Sequence, residues 1–165
     1  MSWELYQGDC IEVMRGMPEK FVQTCVTSPP YWGLRDYGVD GQLGLEPTPE
    51  EYVANLVEVF REVRRVLRDD GTLWLNLGDT YAGSWGSASH DINGKARRTG
   101  TNRRPPTSYK QKGLKPKDLV GIPWRVAFAL QADGWYLRSD IIWHKPNPMP
   151  ESVTDRPTKA HEYIF

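Results

Sequence analysis

The chemically most suggestive part of this sequence is the short run Ser28-Pro29-Pro30-Tyr31-Trp32. Residues 21–27, just before it, are rich in β-branched side chains and predict a strand. That strand must end at the prolines, which lack the backbone N–H that a sheet needs. Each proline holds φ at about −65°, so the loop is stiff. It therefore offers two hydrogen-bond acceptors, the Ser28 hydroxyl and the Pro29 carbonyl, next to an aromatic ring that can stack on a planar group. The alternative is structural: a Pro-Pro turn whose aromatic residues only cap a core.

Strands and helices alternate along the chain and must position this loop. The helix over 48–68 has Thr48 as N-cap, Pro49 at the first helical position and apolar residues at spacings of three and four. Residues 69–71 (Asp-Asp-Gly) are expected to end it. The other predicted helices cover 10–17 and 118–132, and the predicted strands cover 3–7, 21–27, 72–77, 135–143 and 161–165. This alternation predicts an α/β fold with a mostly parallel sheet.

Four polar residues, each just past a predicted strand, are candidates for a shared site: Asp9, Ser28, Asp79 and Asn147. In open α/β sheets, ligands bind outside the carboxyl ends of the strands. We therefore expect these four side chains to share one rim of the sheet.

The charge of the chain is unevenly distributed, although its 21 basic and 21 acidic residues cancel. Residues 82–117 contain nine basic side chains and one acid, a net charge of +8, against −8 for the remainder. This segment is poor in large apolar residues, which predicts a long loop or a disordered insertion. A basic loop suits contact with nucleic-acid phosphates. The alternative is a solvated linker without a partner.

Composition disfavours several classes of protein. No apolar run approaches the roughly 20 residues of a membrane-spanning helix, and the N-terminus lacks the basic flank and apolar core of a secretory signal. Cys10 and Cys25 are too few for a disulfide framework, and no Cys/His cluster has zinc-ligand spacing. We therefore predict a single domain over residues 1–165 that is cytoplasmic, binds no metal and contacts no membrane.

Five segments of the chain resemble the DNA methylase N4/N6 family, in the permuted arrangement where the catalytic motif precedes the cofactor motif. They are residues 8–10, 28–32, 75–81, 141–148 and 155–162. The resemblance covers nearly the whole chain. It implies a Rossmann-like methyltransferase fold, S-adenosylmethionine as cofactor and double-stranded DNA as substrate, and it is compatible with a partner restriction endonuclease.

The resemblance makes Ser28, Pro29, Pro30 and Tyr31 the catalytic residues. The exocyclic amine of a base is a poor nucleophile because its lone pair is delocalised into the ring. Ser28 Oγ and the Pro29 carbonyl would accept the amine hydrogens and localise that lone pair. Tyr31 would stack on the flipped-out base, which returns about 1–3 kcal/mol.

The resemblance also assigns cofactor and DNA contacts. Asp9 matches the acid that contacts the adenine ring of the cofactor, with Cys10 and Ser28 beside it; the alternative for Asp9 is an N-cap of the following helix. Asp79 has a turn role as its alternative, and His161 and Glu162 are expected to form a structural pair. The residues expected to meet DNA are Trp32, Arg97, Arg98, Arg103, Arg104, Lys145 and Asn147.

Serine rather than aspartate before the two prolines favours N4 of cytosine as the target, because family members with aspartate there mostly methylate N6 of adenine. Adenine N6 stays open, as do methylation of RNA or of a protein amide and a non-catalytic DNA-binding remnant. Methylation of cytosine C5 is disfavoured because it needs a nucleophilic thiol, usually after a proline, and neither cysteine follows one.

One motif of the family is missing from the sequence. Its cofactor site needs a Gly-x-Gly turn, and no two of the 15 glycines here are separated by a single residue. We therefore expect the fold to be incomplete at its C-terminus, with an exposed apolar sheet edge. We also expect the chain alone to bind S-adenosylmethionine weakly or not at all.

Overall fold

The computed structural model describes residues 3–82, 113–148, 150 and 153–165. Within these residues the helices are Cys10–Arg15 (α1), Pro49–Val66 (α2) and Ile122–Ala132 (α3). The strands are Val22–Thr27 (β1), Leu67–Leu77 (β2), Ile141–His144 (β3) and His161–Ile164 (β4).

The described strands form one mixed sheet in the order β1-β2-β4-β3. β1 and β2 are parallel, whereas β4 is antiparallel to both β2 and β3. Three of the four described strands, β1, β2 and β3, therefore run in the same direction, as the predicted sheet requires, and β4 runs against them. The sheet therefore has one rim, running across the ends of its strands, where the carboxyl ends of β1, β2 and β3 meet the amino end of β4. We call this rim the site edge.

Helix α2 forms as its sequence predicts but ends earlier. Thr48 Oγ1 accepts the backbone N–H of Glu51 at 3.1 Å, and Pro49 begins the helix. The chain turns extended at Leu67, the residue after the helix, and β2 begins there. The prediction that residues 69–71 end the helix is therefore wrong, since they lie inside β2.

Two predicted strands are absent or shortened in the described chain. Residues 3–7 form no strand, and Trp3 and Leu5 are 87% and 80% exposed. Residues 135–140 are also irregular, so β3 begins only at Ile141. Apolar and β-branched residues favour a strand only where a neighbouring strand satisfies their backbone groups.

The core lies between α2, α3 and β2. Tyr52, Leu56 and Phe60 are buried along one face of α2, and they pack in one cluster with Leu75 and Leu77 of β2. β1 lies at an edge of the described sheet, where Val26 is 77% exposed. This arrangement matches the exposed apolar edge that the sequence predicts. Within the described residues, no helix is long and apolar enough to cross a membrane.

Replacing Leu56 by alanine is expected to destabilise the core. The Leu56 side chain is 0% exposed, so the substitution leaves a cavity and should lower the free energy of unfolding by about 2–5 kcal/mol. Urea denaturation followed by circular dichroism measures this effect. The control Leu5→Ala, at an 80% exposed position, should change it by less than about 0.5 kcal/mol. Equal denaturation midpoints for the two variants would contradict the assigned core.

Candidate active site

The loop after β1 is anchored to the core on one side. The Trp32 indole N–H donates to the Glu46 carbonyl at 2.9 Å, and the Tyr52 hydroxyl donates to the Pro30 carbonyl at 2.9 Å. Trp32 is only 2% exposed. The prediction that Trp32 contacts DNA is therefore wrong for this structure, because its ring is buried in the core. A buried anchor of this kind holds the neighbouring Tyr31 in place.

Gly44 lies across the turn from the same loop and supports it. Its φ is +95°, a conformation that favours glycine, and a Cβ there would lie 2.9 Å from the Tyr31 carbonyl oxygen. The Gly33 N–H donates to the Gly44 carbonyl at 2.7 Å. The loop is thus fixed by backbone contacts as well as by its two prolines.

A cluster of five polar side chains converges at the site edge: Ser28, Tyr31, Asn76, Lys145 and Glu162. We call this set the Ser28–Tyr31 cluster. The Tyr31 hydroxyl lies 2.5 Å from Asn76 Oδ1 and 2.9 Å from Glu162 Oε2. Ser28 Oγ lies 3.2 Å from Asn76 Oδ1 and 3.3 Å from the Tyr31 hydroxyl. Lys145 Nζ donates to Glu162 Oε1.

The fold explains why these residues meet. Ser28 follows β1, Asn76 lies near the end of β2, Lys145 follows β3, and Glu162 lies at the start of β4. All four positions are at the site edge. Asn76 is not among the residues predicted from the sequence, and Glu162 contacts Tyr31 and Lys145 rather than serving only as the partner of His161. A polar residue between two buried leucines, Leu75 and Leu77, at the end of β2 is the feature that would have indicated Asn76.

The Tyr31 ring packs tightly against Gly78. A Cβ at Gly78 would lie 2.4 Å from Tyr31 Cε2, so only glycine fits beneath the ring. A cavity of about 170 Å³ opens here, and Tyr31, Leu34, Gly78 and Asp79 are among its lining residues. Burial, together with the hydrogen bond to Glu162, raises the pKa of Tyr31 to about 12. The hydroxyl is therefore protonated at neutral pH and can donate.

Replacing Gly78 by alanine should displace the Tyr31 ring. A misplacement of about 1 Å costs on the order of 100-fold in rate when a group must be held in a productive geometry, and we expect a loss of kcat of that size. Methyl transfer to DNA, the activity that the family resemblance implies, measures it. The control Gly16→Ala has an ordinary φ of −76° and only a 3.4 Å contact, so its activity should be unchanged. Normal kcat in Gly78→Ala would contradict this packing.

Asp9 and Asp79 both cap helices. Asp9 Oδ1 accepts the N–H groups of Ile11 and Glu12 at 3.0 and 3.1 Å and is the N-cap of α1. Asp79 Oδ1 accepts the N–H groups of Gly121 and Ile122 at 3.0 and 2.9 Å, at the start of α3. The N-cap alternative for Asp9 is thus present. Asp79 also accepts the Thr80 N–H at 2.9 Å in its own turn, so its turn role is present beside the contact with α3. A cofactor contact by the exposed Asp9 stays a prediction.

The two thiols are not activated. Cys10 is the first residue of α1 and Cys25 lies in β1. Desolvation raises the pKa of both, so both are protonated at neutral pH. Neither has the thiolate character that a nucleophile needs, which agrees with the sequence argument against methylation of cytosine C5. Within the described residues there is also no group of three or more His, Cys, Asp or Glu side chains arranged to hold a metal ion.

The structure describes only some of the residues that are predicted to contact DNA. Lys145 pairs with Glu162 and also lies 5.2 Å from the centre of the Trp143 ring, and Asn147 is exposed beyond β3. Their contact with DNA stays a prediction. Four further predicted contacts lie outside the described residues: Arg97, Arg98, Arg103 and Arg104.

The two ends of the basic segment 82–117 meet next to the site edge. Tyr81 and Leu119 form an isolated antiparallel bridge. The Ala82 N–H donates to the Asp118 carbonyl at 2.8 Å, and the Lys117 N–H donates to the Ala82 carbonyl at 2.7 Å. The segment therefore leaves and rejoins the fold at one place, close to Gly78 and Asp79.

Comparison with curated proteins finds long matches among bacterial methyltransferases. The chain is 56% identical over 164 residues to the type II methyltransferase M.SmaI of Serratia marcescens, covering 99% of this chain and 55% of that protein. It is 57% identical over 162 residues to the type II methyltransferase M.Cfr9I of Citrobacter freundii, covering 98% of this chain and 52% of that protein. The chain thus spans about half the length of these relatives.

Solved structures show the same fold. The putative DNA modification methylase TTHA0409 from Thermus thermophilus, complexed with S-adenosyl-L-methionine, matches with a TM-score of 0.60 at 27% identity, covering 95% of this chain and 51% of that one. The cytosine-N4-specific PvuII DNA methyltransferase matches with a TM-score of 0.60 at 19% identity, covering 96% of this chain and 46% of that one, and shows the fold alone. The predicted Rossmann-like methyltransferase fold is confirmed. A family model described as DNA methylase, of the N6/N4 methyltransferase type, matches residues 22–165, and the chain therefore belongs to the N6/N4 DNA methylase family.

Proposed function

We propose that the protein transfers a methyl group from S-adenosylmethionine to the exocyclic N4 of cytosine in double-stranded DNA, with residues 28–31 as its catalytic loop. The observation that carries this proposal is the Ser28–Tyr31 cluster, which places an uncharged hydroxyl oxygen at the site edge with an aromatic ring beside it. Family membership and the type II relatives support DNA as the substrate.

The residues of the loop perform the positioning that amine methylation needs. Ser28 Oγ and the Pro29 carbonyl accept the two amine hydrogens, so the nitrogen becomes more tetrahedral and its lone pair is localised. Tyr31 offers its ring to the flipped base, while Asn76 and Glu162 hold its hydroxyl end. S-adenosylmethionine, when bound, supplies a methyl group already activated by its sulfonium. Orientation then accounts for most of the rate.

The residues of this chain fit part of the cofactor. Asp9 is exposed at the start of α1, and only its Oδ1 is used to cap the helix, so the carboxylate suits contact with an adenine or ribose group. Cys10 and Ser28 would lie beside it. The chain has no Gly-x-Gly turn to surround the methionine end. We therefore propose that this chain alone binds the cofactor weakly, which calorimetric titration tests; a low-micromolar Kd would contradict it.

The proposed substrate, DNA, agrees with the charge distribution. Residues 82–117 carry a net charge of +8, and their two ends meet beside the site edge. Basic side chains there would neutralise phosphates close to the base that is methylated. Because the relatives are type II methyltransferases, we also propose that the protein acts with a restriction endonuclease in a modification system.

Transfer of a labelled methyl group tests this function. The natural full-length protein is incubated with tritiated S-adenosylmethionine and duplex DNA, and label is counted in recovered DNA. We expect incorporation into DNA that excess RNA does not compete away. Incorporation into RNA or protein instead, or salt-dependent DNA binding with no effect of the cofactor, would overturn the proposal.

A further inference from the structure

Glu162 is an unusual residue for β4, a short strand that pairs with a neighbour on each side. Its carboxylate side chain is only 19% exposed. One oxygen accepts from Lys145, and the other accepts from the Tyr31 hydroxyl at 2.9 Å. A carboxylate that is removed from water and shared between a cation and a catalytic-loop hydroxyl needs a reason beyond stability, because burying such a pair yields little net stabilisation.

We infer that Glu162, held in place by Lys145, is a positioning residue that directs the hydroxyl protons of Tyr31 and Ser28 away from the target amine. This inference rests on the proposed methyl transfer, and it assigns a role to two side chains that need not touch the base. Its consequence is that Ser28 presents only lone pairs to the substrate.

Counting hydrogens in the cluster supports this role. Ser28 and Tyr31 each have one hydroxyl proton. The Asn76 Nδ2 group donates to the Tyr163 carbonyl at 3.2 Å, so its Oδ1 faces the two hydroxyls and can only accept. The Glu162 carboxylate can likewise only accept. Both hydroxyl protons therefore have acceptors inside the cluster.

The direction of the chain of hydrogen bonds follows from charge. The Tyr31 hydroxyl lies 2.5 Å from Asn76 Oδ1 and 2.9 Å from the Glu162 carboxylate, which is the stronger acceptor because it is ionised, so the single Tyr31 proton is directed to these two acceptors. Tyr31 then accepts from Ser28, or Ser28 donates to Asn76 Oδ1 at 3.2 Å. In both arrangements the Ser28 proton points inward. Its oxygen can then accept an amine N–H, which is the donor that the exocyclic group offers.

Lys145 keeps this carboxylate ionised. Partial burial on its own would raise the pKa of Glu162, but the hydrogen bonds from Lys145 and Tyr31 outweigh it and hold the pKa below its ordinary value. Within the described chain, the charged or titratable groups facing Glu162 are Lys145, after β3, and Tyr31, after β1. The interactions of the Glu162 carboxylate with Lys145 and Tyr31 are thus fully present above the ordinary pKa of glutamate. They are lost as the pH falls through the lowered pKa of Glu162.

The first test compares kinetics in the natural full-length protein. Glu162→Gln is expected to lower kcat for DNA methylation by about 10- to 100-fold, the equivalent of one hydrogen bond to a charged group, with little change in KM for DNA. The matched control, Asp69→Asn, removes the carboxylate of an exposed ion pair with Lys20 at the far end of β2 and should behave as wild type. Equal kcat in Glu162→Gln and wild type would overturn the inference while leaving the proposed function standing.

The second test follows the Tyr31 side chain by NMR as the pH changes, and this measurement needs no enzymatic activity. The protein is labelled with fluorotyrosine, and its fluorine NMR spectrum is recorded from pH 8 to pH 5. The Tyr31 resonance is the one that is lost in Tyr31→Phe. Lys145→Met removes the cation that lowers the Glu162 pKa, so we expect the resonance to shift within this range in that variant. Wild type and Glu162→Gln should show no such shift. The acid limb of kcat should move to higher pH in Lys145→Met as well.

The two tests distinguish failure of this inference from failure of the proposed function. If wild type methylates no DNA, the proposed function fails and the role toward the target amine fails with it, while the resonance still shows whether Lys145 sets the charge of Glu162 beside Tyr31. A Tyr31 resonance that is identical at every pH in Lys145→Met and wild type would overturn the inference whatever the activity.

Discussion

Replacing Ser28 by alanine is expected to reduce kcat for DNA methylation by about 100- to 1,000-fold, the cost of removing one preorganised polar group from a reacting centre. Ser28 Oγ is held 3.2 Å from Asn76 Oδ1 and 3.3 Å from the Tyr31 hydroxyl, so its lone pairs are already oriented. Alanine removes the acceptor and leaves the Pro29 carbonyl to bind the amine alone. The lone pair would then stay delocalised into the ring.

Steady-state kinetics with saturating DNA measure the Ser28→Ala effect. KM for DNA should change little, because base stacking is assigned to Tyr31 and phosphate contacts to the basic segment 82–117. Ser139→Ala is the matched control, since that serine is exposed and, among the residues that the structure describes, its hydroxyl bonds to the neighbouring Asp140 carbonyl at 3.5 Å alone. A kcat for Ser28→Ala within about twofold of wild type would remove Ser28 from the mechanism.

Replacing Tyr31 by alanine is expected to cause the second large loss. A base stacked on an aromatic ring gains about 1–3 kcal/mol, so removing the ring should weaken binding of the flipped base by about 10- to 100-fold. Alanine also removes the hydroxyl that joins Ser28 to Glu162. The combined decrease in kcat/KM should therefore exceed that of either contribution alone.

Tyr31→Phe separates the two contributions. Phenylalanine keeps the ring packed on Gly78 but loses the hydroxyl, so its kcat should fall by about 10-fold or more, the equivalent of one hydrogen bond, while base stacking is retained. Fluorescence of 2-aminopurine at the target position reports base flipping directly. Tyr136→Ala, at an 89% exposed tyrosine outside the site, serves as the control. Equal losses in Tyr31→Phe and Tyr31→Ala would contradict a stacking role for the ring.

Local signals in the sequence predicted several parts of the fold. The N-cap at Thr48 and the proline after it placed the start of α2, because capping depends on adjacent residues. The prolines after Thr27 placed the end of β1 for the same kind of reason. The loop was expected at the carboxyl ends of the strands, where ligands bind in open α/β sheets, and Ser28 does follow the end of β1.

Other features depended on contacts distant in sequence. Trp32 was expected to contact DNA, but its partner is the Glu46 carbonyl on the far side of a turn. Asn76 and Glu162 are separated by more than 80 residues, and only the pairing of β2 with β4 brings them together beside Tyr31. Residues 135–137 are aromatic or aliphatic, which favours a strand, yet residues 135–140 form none. Tertiary contacts override local preference in such cases.

The most direct test of the central claim is nucleoside analysis of the methylated product. Duplex DNA modified by the natural full-length protein is digested to nucleosides and analysed by mass spectrometry, with Ser28→Ala in parallel. We expect N4-methylcytosine from the wild type and almost none from the variant. N6-methyladenine as the product, or undiminished N4-methylcytosine from Ser28→Ala, would contradict it.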